Sequence, residues 1–80
     1  MKDYRIGIIG LGYVGFPLAC LFAKRYPVVG FDLNETRVRE LSTGIDRTGE
    51  VDSTVIEERL SQGLQCTAHI EDLRSCNVYI

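Results

Sequence analysis

Apolar residues in this chain fall into short runs separated by polar or glycine-rich segments. A run over residues 4–9 predicts a buried strand, and a second run over 28–32 ends at the acid Asp32. Residues 64–67 predict a third short strand, and residues 77–80 begin a fourth. Helical patterns fill the intervals between the strands. This alternation predicts an α/β fold with a parallel sheet and right-handed crossovers.

The first predicted helix covers about residues 13–25. Pro17 falls near the end of its first turn, where a missing N–H costs little. Helical spacing of apolar residues predicts which side of this helix faces the sheet. These residues are Val14, Leu18, Leu21 and Phe22.

The second predicted helix is defined by its ends. Asn34 is a natural N-cap, and the helix runs to about Thr43. Gly44 follows in the position that commonly closes a helix. Residues 45–51 are polar and predict a loop. A short helix is also predicted over about 70–75, before the fourth strand.

A third helix follows the polar loop and is predicted to end at Gly63. The sequence leaves two alternatives for the residue at which this helix begins. Thr54 and Glu57 have the spacing of a capping box, whereas Asp52 or Ser53 could act as the cap instead.

A Gly-x-Gly-x-x-Gly turn follows the first strand directly and leads into the first helix. Gly10 lets the chain turn sharply, Gly12 lets a phosphate approach the backbone, and Gly15 lets the helix pack closely. The backbone N–H groups of Tyr13 and Val14 lie at the start of the helix, where the dipole favours an anion. The pattern predicts a Rossmann-like fold with a dinucleotide pyrophosphate at this turn.

Asp32 lies about 20 residues beyond Gly10, the offset expected of the acid that binds the ribose hydroxyls. A carboxylate there repels the 2′-phosphate of NADP and favours NAD. Arg37 is open to two interpretations. It could contact the adenine ribose, stack on adenine or meet a 2′-phosphate. It could equally be a solvated residue paired with Glu40 or Glu35.

Composition and length limit the remaining function classes. A net charge of −2 gives no basic field for nucleic acid or an anionic membrane. No apolar run reaches the ~20 residues of a membrane helix, and no signal-peptide core is present, so the cytoplasm is the expected compartment. The 80 residues suffice for about one βαβαβ half of a doubly wound fold plus the start of a fourth strand. We therefore expect a partial Rossmann-like domain from a longer protein.

Neither the cysteines nor the histidine predict a catalytic or metal site. The cysteines, Cys20, Cys66 and Cys76, are odd in number and lack Cys-x-x-Cys spacing. We interpret them as small buried hydrophobic residues. His69 is the only histidine and is expected to be a turn residue.

Residues 8–19, Ile-Ile-Gly-Leu-Gly-Tyr-Val-Gly-Phe-Pro-Leu-Ala, resemble the N-terminus of the nucleotide-sugar 6-dehydrogenases. The match continues over 29–34, through Arg37, and covers essentially the whole chain. Phe16 is a minor departure, since leucine is commoner there. The loop over 45–51 resembles the branch that acts on UDP-N-acetyl-mannosamine, -glucosamine and -galactosamine, rather than the UDP-glucose branch.

The resemblance implies NAD as cofactor and a UDP-sugar as substrate. Members of the family oxidise the sugar C6 alcohol to a carboxylate in two NAD-dependent steps, through a cysteine and a lysine farther along the chain. The product would be a UDP-hexuronic acid for surface polysaccharide. Residues 1–80 would be the N-terminal portion of the NAD domain and inactive alone. The rest of that domain, a central helix, the UDP-sugar domain and the contacts of a homo-oligomer would lie beyond them.

The resemblance also assigns roles to residues of this chain. The three glycines match the phosphate turn, and Val14, Asp32 and Arg37 match positions that contact NAD. No position matches the catalytic cysteine. Two alternatives are another Rossmann dehydrogenase of the β-hydroxyacid type and a non-catalytic nucleotide-sensing domain. The first often carries methionine at the position of Val14 and basic residues after the second strand.

Overall fold

A four-stranded parallel sheet forms the centre of the computed structural model, which describes residues 3–80. The strand order is β3-β2-β1-β4. This arrangement confirms the predicted Rossmann-like α/β class. The elements in chain order are β1 (Ile6–Ile9), α1 (Gly15–Phe22), β2 (Val28–Phe31), α2 (Glu35–Ser42), α3 (Ser53–Ser61), β3 (Leu64–Thr67), a 3₁₀ helix (Ile70–Ser75) and β4 (Val78–Tyr79).

The main core lies on one face of the sheet, beneath α1, α2 and α3. Parallel pairing sets Ile6, Val28 and Leu64 side by side, and all three point to this face. Leu11 is fully buried in the same core, although it belongs to the glycine turn. Its side chain fits because Gly30 has no Cβ. A Cβ there would lie 2.6 Å from Leu11 Cδ2. The core therefore anchors the turn directly.

The opposite face of the sheet carries a smaller cluster under the 3₁₀ helix. Phe31, Leu73 and Cys76 are buried there. The ring of Tyr79 crosses Gly7, and its hydroxyl lies 2.8 Å from the carbonyl oxygens of both Leu73 and Cys76. The hydroxyl proton is shared between these acceptors, and the contact fixes the 3₁₀ helix against β4.

The predicted apolar side of α1 is confirmed for Leu18 and Phe22, which pack against the core, and wrong for Val14 and Leu21. Val14 and Leu21 are 78% and 59% exposed, and the helix spans Gly15–Phe22 rather than 13–25. The buried side is formed by Phe16, Ala19, Cys20 and Ala23. Small residues at helical spacing, from Gly15 through Ala19 to Ala23, let the helix lie close to the sheet. Close packing of these small residues, together with burial of the large Phe16 ring, sets the rotation of the helix.

The start of α3 resolves the two alternatives that the sequence leaves open. The helix begins at Ser53 with Asp52 in the N-cap position, and Asp52 makes no side-chain capping bond. The capping box of Thr54 and Glu57 is therefore wrong. Glu57 instead lies beside Gly44, whose φ of +91° confirms its predicted role after α2.

Candidate functional site

The carboxyl ends of β1 and β2 lie side by side and carry the two predicted binding elements. Ile9 of β1 pairs with Phe31 of β2, so the glycine turn and Asp32 leave the sheet at the same edge. A shallow cleft of about 190 Å³ opens there. Its lining is mostly apolar and includes Ile9 and Leu33, with Asp32 as the one acid. Such an edge is where open α/β sheets bind ligands.

A different feature of the local structure explains the glycine at each of the three positions of the turn. Gly10 has φ +97°, which other residues rarely adopt, and its N–H donates to Phe31 O at 2.8 Å. A Cβ on Gly15 would overlap the carbonyl oxygen of Gly10. A Cβ on Gly12 would meet no atom within 4 Å. The turn is thus tightly packed at Gly15 and open at Gly12, as the approach of a phosphate requires.

The N-terminus of α1 supplies donors to this open space. The helix has no side-chain cap at Val14 and no acid in its first turn. Within residues 3–80, the N–H groups of Tyr13 and Val14 form no hydrogen bond, while the side chains of both residues are exposed. Free donors and an uncompensated dipole suit a pyrophosphate. The residues present therefore fit the phosphates of a dinucleotide.

Asp32 holds the turn in addition to facing the cleft. Its Oδ2 accepts a hydrogen bond from Leu11 N at 2.9 Å, and its Oδ1 accepts one from Asn34 N at 2.9 Å. Each carboxylate oxygen keeps a second lone pair. The half-buried carboxylate can accept further bonds from a ribose without releasing the turn.

Arg37 is neither solvated nor paired with Glu40 or Glu35. Its Nε donates to Leu11 O at 2.7 Å, and its Nη1 donates to Asp46 Oδ1 at 2.7 Å. The guanidinium carbon lies 5.7 Å from the centroid of the Phe16 ring. Nη2 is buried and has no partner among the described residues. The sequence prediction that Arg37 contacts the cofactor is left open by these contacts.

Asp46 is a residue that the sequence reasoning missed. Its side chain has no exposed area, and four donors converge on its carboxylate. They are Arg37 Nη1, Thr48 N and Thr48 Oγ1 on Oδ1, and Val51 N on Oδ2. Burial alone would raise the pKa of Asp46, but these hydrogen bonds outweigh it and hold the pKa below its ordinary value. The Asp-x-Thr spacing within a polar loop was the available signal, because such acids bond to the backbone two residues on.

The cysteines are free thiols in unreactive surroundings. Burial raises the pKa of Cys20 to about 11, although the Arg59 guanidinium acts in the opposite direction. Burial likewise raises the pKa of Cys66 to about 12. Arg59 donates from Nε to Cys20 O at 3.0 Å and ties α3 to α1. A thiol with a raised pKa is a poor nucleophile.

The structure contains no assembled metal centre within residues 3–80. No three His, Cys, Asp or Glu side chains there come together as ligands. His69 is exposed at the start of the 3₁₀ helix, and its Nδ1 lies 3.8 Å from Glu71. No helix in the same range is long and apolar enough to cross a membrane.

Comparison with known proteins identifies close matches along the whole chain. The model of the UDP-glucose/GDP-mannose dehydrogenase family, NAD binding domain, matches residues 4–80. A UDP-N-acetyl-D-glucosamine 6-dehydrogenase of Pseudomonas aeruginosa is 49% identical over 100% of this chain and 18% of its own length. A second such protein, from Salmonella typhi, is 46% identical over the same shares. The chain thus spans less than a fifth of the curated relatives it matches.

Solved structures show the same similarity. The UDP-D-ManNAc dehydrogenase from Pyrococcus horikoshii superposes with a TM-score of 0.86 at 38% identity, covering 94% of this chain and 19% of that protein. The UDP-N-acetyl-mannosamine dehydrogenase Cap5O from Staphylococcus aureus gives a TM-score of 0.76 at 31% identity, over 94% of this chain and 18% of that one.

Gly15→Ala and Gly12→Ala should separate packing from binding. The added Cβ at Gly15 overlaps backbone, so we expect the free energy of unfolding to fall by about 2–3 kcal/mol. The Cβ at Gly12 meets open space, so stability should change by less than about 1 kcal/mol while dinucleotide affinity falls. Denaturant unfolding and calorimetric titration measure the two effects. Equal loss of stability in both variants would contradict this account of the turn.

The Asp46 carboxylate should make stability depend on pH. Because its pKa in the folded state lies below the ordinary 3.8, it stabilises the fold above that pH and loses this effect as pH falls through the folded-state pKa. Asp46→Asn should therefore cost roughly 2–3 kcal/mol near neutrality and progressively less in acid. Denaturant unfolding across pH checks this.

Glu40→Gln is the matched control for that measurement. Glu40 also pairs with an arginine, Arg47, but the Arg47 side chain is 71% exposed. The Glu40→Gln substitution should therefore lower the free energy of unfolding by under about 1 kcal/mol. A pH-independent difference between the wild type and Asp46→Asn would disprove the stabilising role of the ionised carboxylate.

Proposed function

The chain belongs to the UDP-glucose/GDP-mannose dehydrogenase family, as its NAD-binding domain, and we propose that it forms the NAD-binding end of a UDP-sugar 6-dehydrogenase. One observation carries the proposal. A protein named UDP-N-acetyl-D-glucosamine 6-dehydrogenase matches all of the chain at 49% identity. We further propose a UDP-N-acetylhexosamine as the substrate, because relatives of that branch recur among the matches.

The residues of this chain would bind the adenosine and pyrophosphate parts of NAD. The pyrophosphate would lie over Gly12, with the N–H groups of Tyr13 and Val14 as donors. Asp32 would accept the ribose hydroxyls, and the cleft beside Leu33 would take the adenine. When bound, NAD supplies the nicotinamide that accepts a hydride from the sugar. The chain's own contribution is to orient the cofactor and hold it against the sheet edge.

The remaining steps of the proposed reaction belong to segments outside these 80 residues. Those segments would bind the UDP-sugar and carry the thiol and lysine that convert the C6 alcohol to a carboxylate. The free cysteines of this chain are unsuited to that role, since burial raises the pKa of Cys20 and Cys66. We propose a cytoplasmic homo-oligomer that makes a UDP-hexuronic acid for polysaccharide synthesis.

The proposal is tested by assaying the full-length protein with NAD against a panel of UDP-sugars. We expect NADH formation with UDP-N-acetyl-glucosamine, -mannosamine or -galactosamine, and a lower rate with UDP-glucose. Residues 1–80 alone should be inactive. NAD binding without turnover across the panel would indicate a nucleotide-sensing protein. Turnover of a β-hydroxyacid instead would assign a different dehydrogenase class.

Asp32→Asn tests the role of the ribose-binding acid. The amide keeps the shape but loses the negative charge and one of the two acceptors for the backbone N–H groups of Leu11 and Asn34, so NAD affinity should fall by about tenfold and rejection of NADP should weaken. Asp52→Asn is the control, because Asp52 is exposed at the start of α3 and makes no side-chain cap. Calorimetric titration of the full-length protein gives both affinities. An unchanged preference for NAD in Asp32→Asn would contradict the assignment.

A further inference from the structure

We propose that Asp46 sets the preference for NAD over NADP by holding the Arg37 guanidinium turned into the protein. The inference rests on the proposed NAD-binding function and adds a specificity-determining residue to it. Asp46 would act on the cofactor only through Arg37. Its loop, residues 45–51, would thereby take part in cofactor selection.

Arg37 occupies a position from which an arginine could contact the 2′-phosphate of NADP. An arginine soon after the ribose-binding acid is the side chain that commonly accommodates the 2′-phosphate of NADP. Arg37 lies in the first turn of α2, just after Asp32. Its planar guanidinium is suited to a phosphate. In a domain that selects NAD, keeping this group from a 2′-phosphate would add to the repulsion of that phosphate by Asp32.

The contacts of Arg37 show how the group is withheld. Its Nε is bonded to Leu11 O and its Nη1 to Asp46 Oδ1, both at 2.7 Å. Its Nη2 is shielded from solvent. The side chain is only 11% exposed. A 2′-phosphate could reach the guanidinium only if these contacts were broken.

Asp46 is built to keep Arg37 in this position. Thr48 and Val51 donate three hydrogen bonds that fix the carboxylate independently of Arg37. Its unit negative charge compensates the arginine at a site without solvent exposure, where screening is weak. The positive charge beside the glycine turn is thus neutralised, and the charge facing the cleft is that of Asp32.

Asp46→Asn removes the compensating charge and one of the two acceptor oxygens while keeping the side-chain shape. Arg37 then carries an unpaired positive charge beside the cofactor site and gains freedom to turn outward. We expect NADP affinity to rise relative to NAD, so that the NAD-to-NADP preference falls by about tenfold. Thr48→Val loses one donor to Asp46 and should lower the preference in the same direction by roughly threefold.

The experiment is calorimetric titration of the full-length protein with NAD and with NADP, without any sugar. Glu40→Gln is the matched control, since it also neutralises an acid paired with an arginine but that pair does not contact the turn. The double variant Asp46→Asn/Arg37→Gln should lose the gain in NADP affinity, because no guanidinium remains. Thr48→Val carries the test if Asp46→Asn does not fold.

The outcomes distinguish a role of Asp46 in cofactor selection from a purely structural role. A purely structural role would weaken both cofactors equally and leave their ratio unchanged, which would overturn the proposal. Retention of the NADP gain in the double variant would overturn it as well, since the effect would not pass through Arg37. A wild-type protein that binds neither cofactor would refute the proposed function itself, and this inference with it.

Discussion

Leu11 is fixed by contacts of its N–H, its carbonyl and its side chain, and the geometry of the site depends on this residue. Asp32 accepts its N–H, Arg37 donates to its carbonyl, and its side chain fills the space that Gly30 leaves over β2. Because Leu11 lies between Gly10 and Gly12, these contacts set the path of the whole turn. The open face at Gly12 and the free N–H groups that follow are consequences of that path. The candidate binding surface is therefore held in place by the core beneath it.

The pair of Arg37 and Asp46 extends this control to the loop over 45–51. A buried ion pair adds little net stability, because desolvation opposes the attraction, but removal of one partner is costly. Its value here is geometric. The same guanidinium contacts the turn, the Phe16 ring of α1 and the loop, and so connects these three segments. The pair of Arg47 and Glu40 joins the same loop and helix through an exposed arginine, Arg47.

Local signals in the sequence were sufficient for most of the fold. Asn34 caps α2 and Gly44 closes it, because each of these features depends on neighbours a few residues away. The glycine turn also has the expected form, although contacts with distant residues of the chain set its path. The buried side of α1 was predicted only in part, since apolar residues lie on several sides of that helix and packing against the sheet selects among them. Asp46 was missed because its partner Arg37 is brought to it by tertiary structure. The cofactor contacts assigned to Tyr13, Val14 and Arg37 remain predictions.

The division of labour within the proposed enzyme follows from where this site lies. In the proposed enzyme, the donors and the acid of this chain would face the phosphates and the adenosine ribose, which do not react. Interactions with non-reacting parts of a bound molecule act on affinity, and they reach the reaction rate only by positioning the reacting end. Changes at Asp46 or Asp32 should thus be expressed mainly as cofactor affinity and selectivity. In the proposed enzyme, the rate of the chemical step would be governed by groups that contact the nicotinamide and the sugar, so variants of this chain would report on recognition of the cofactor independently of catalysis.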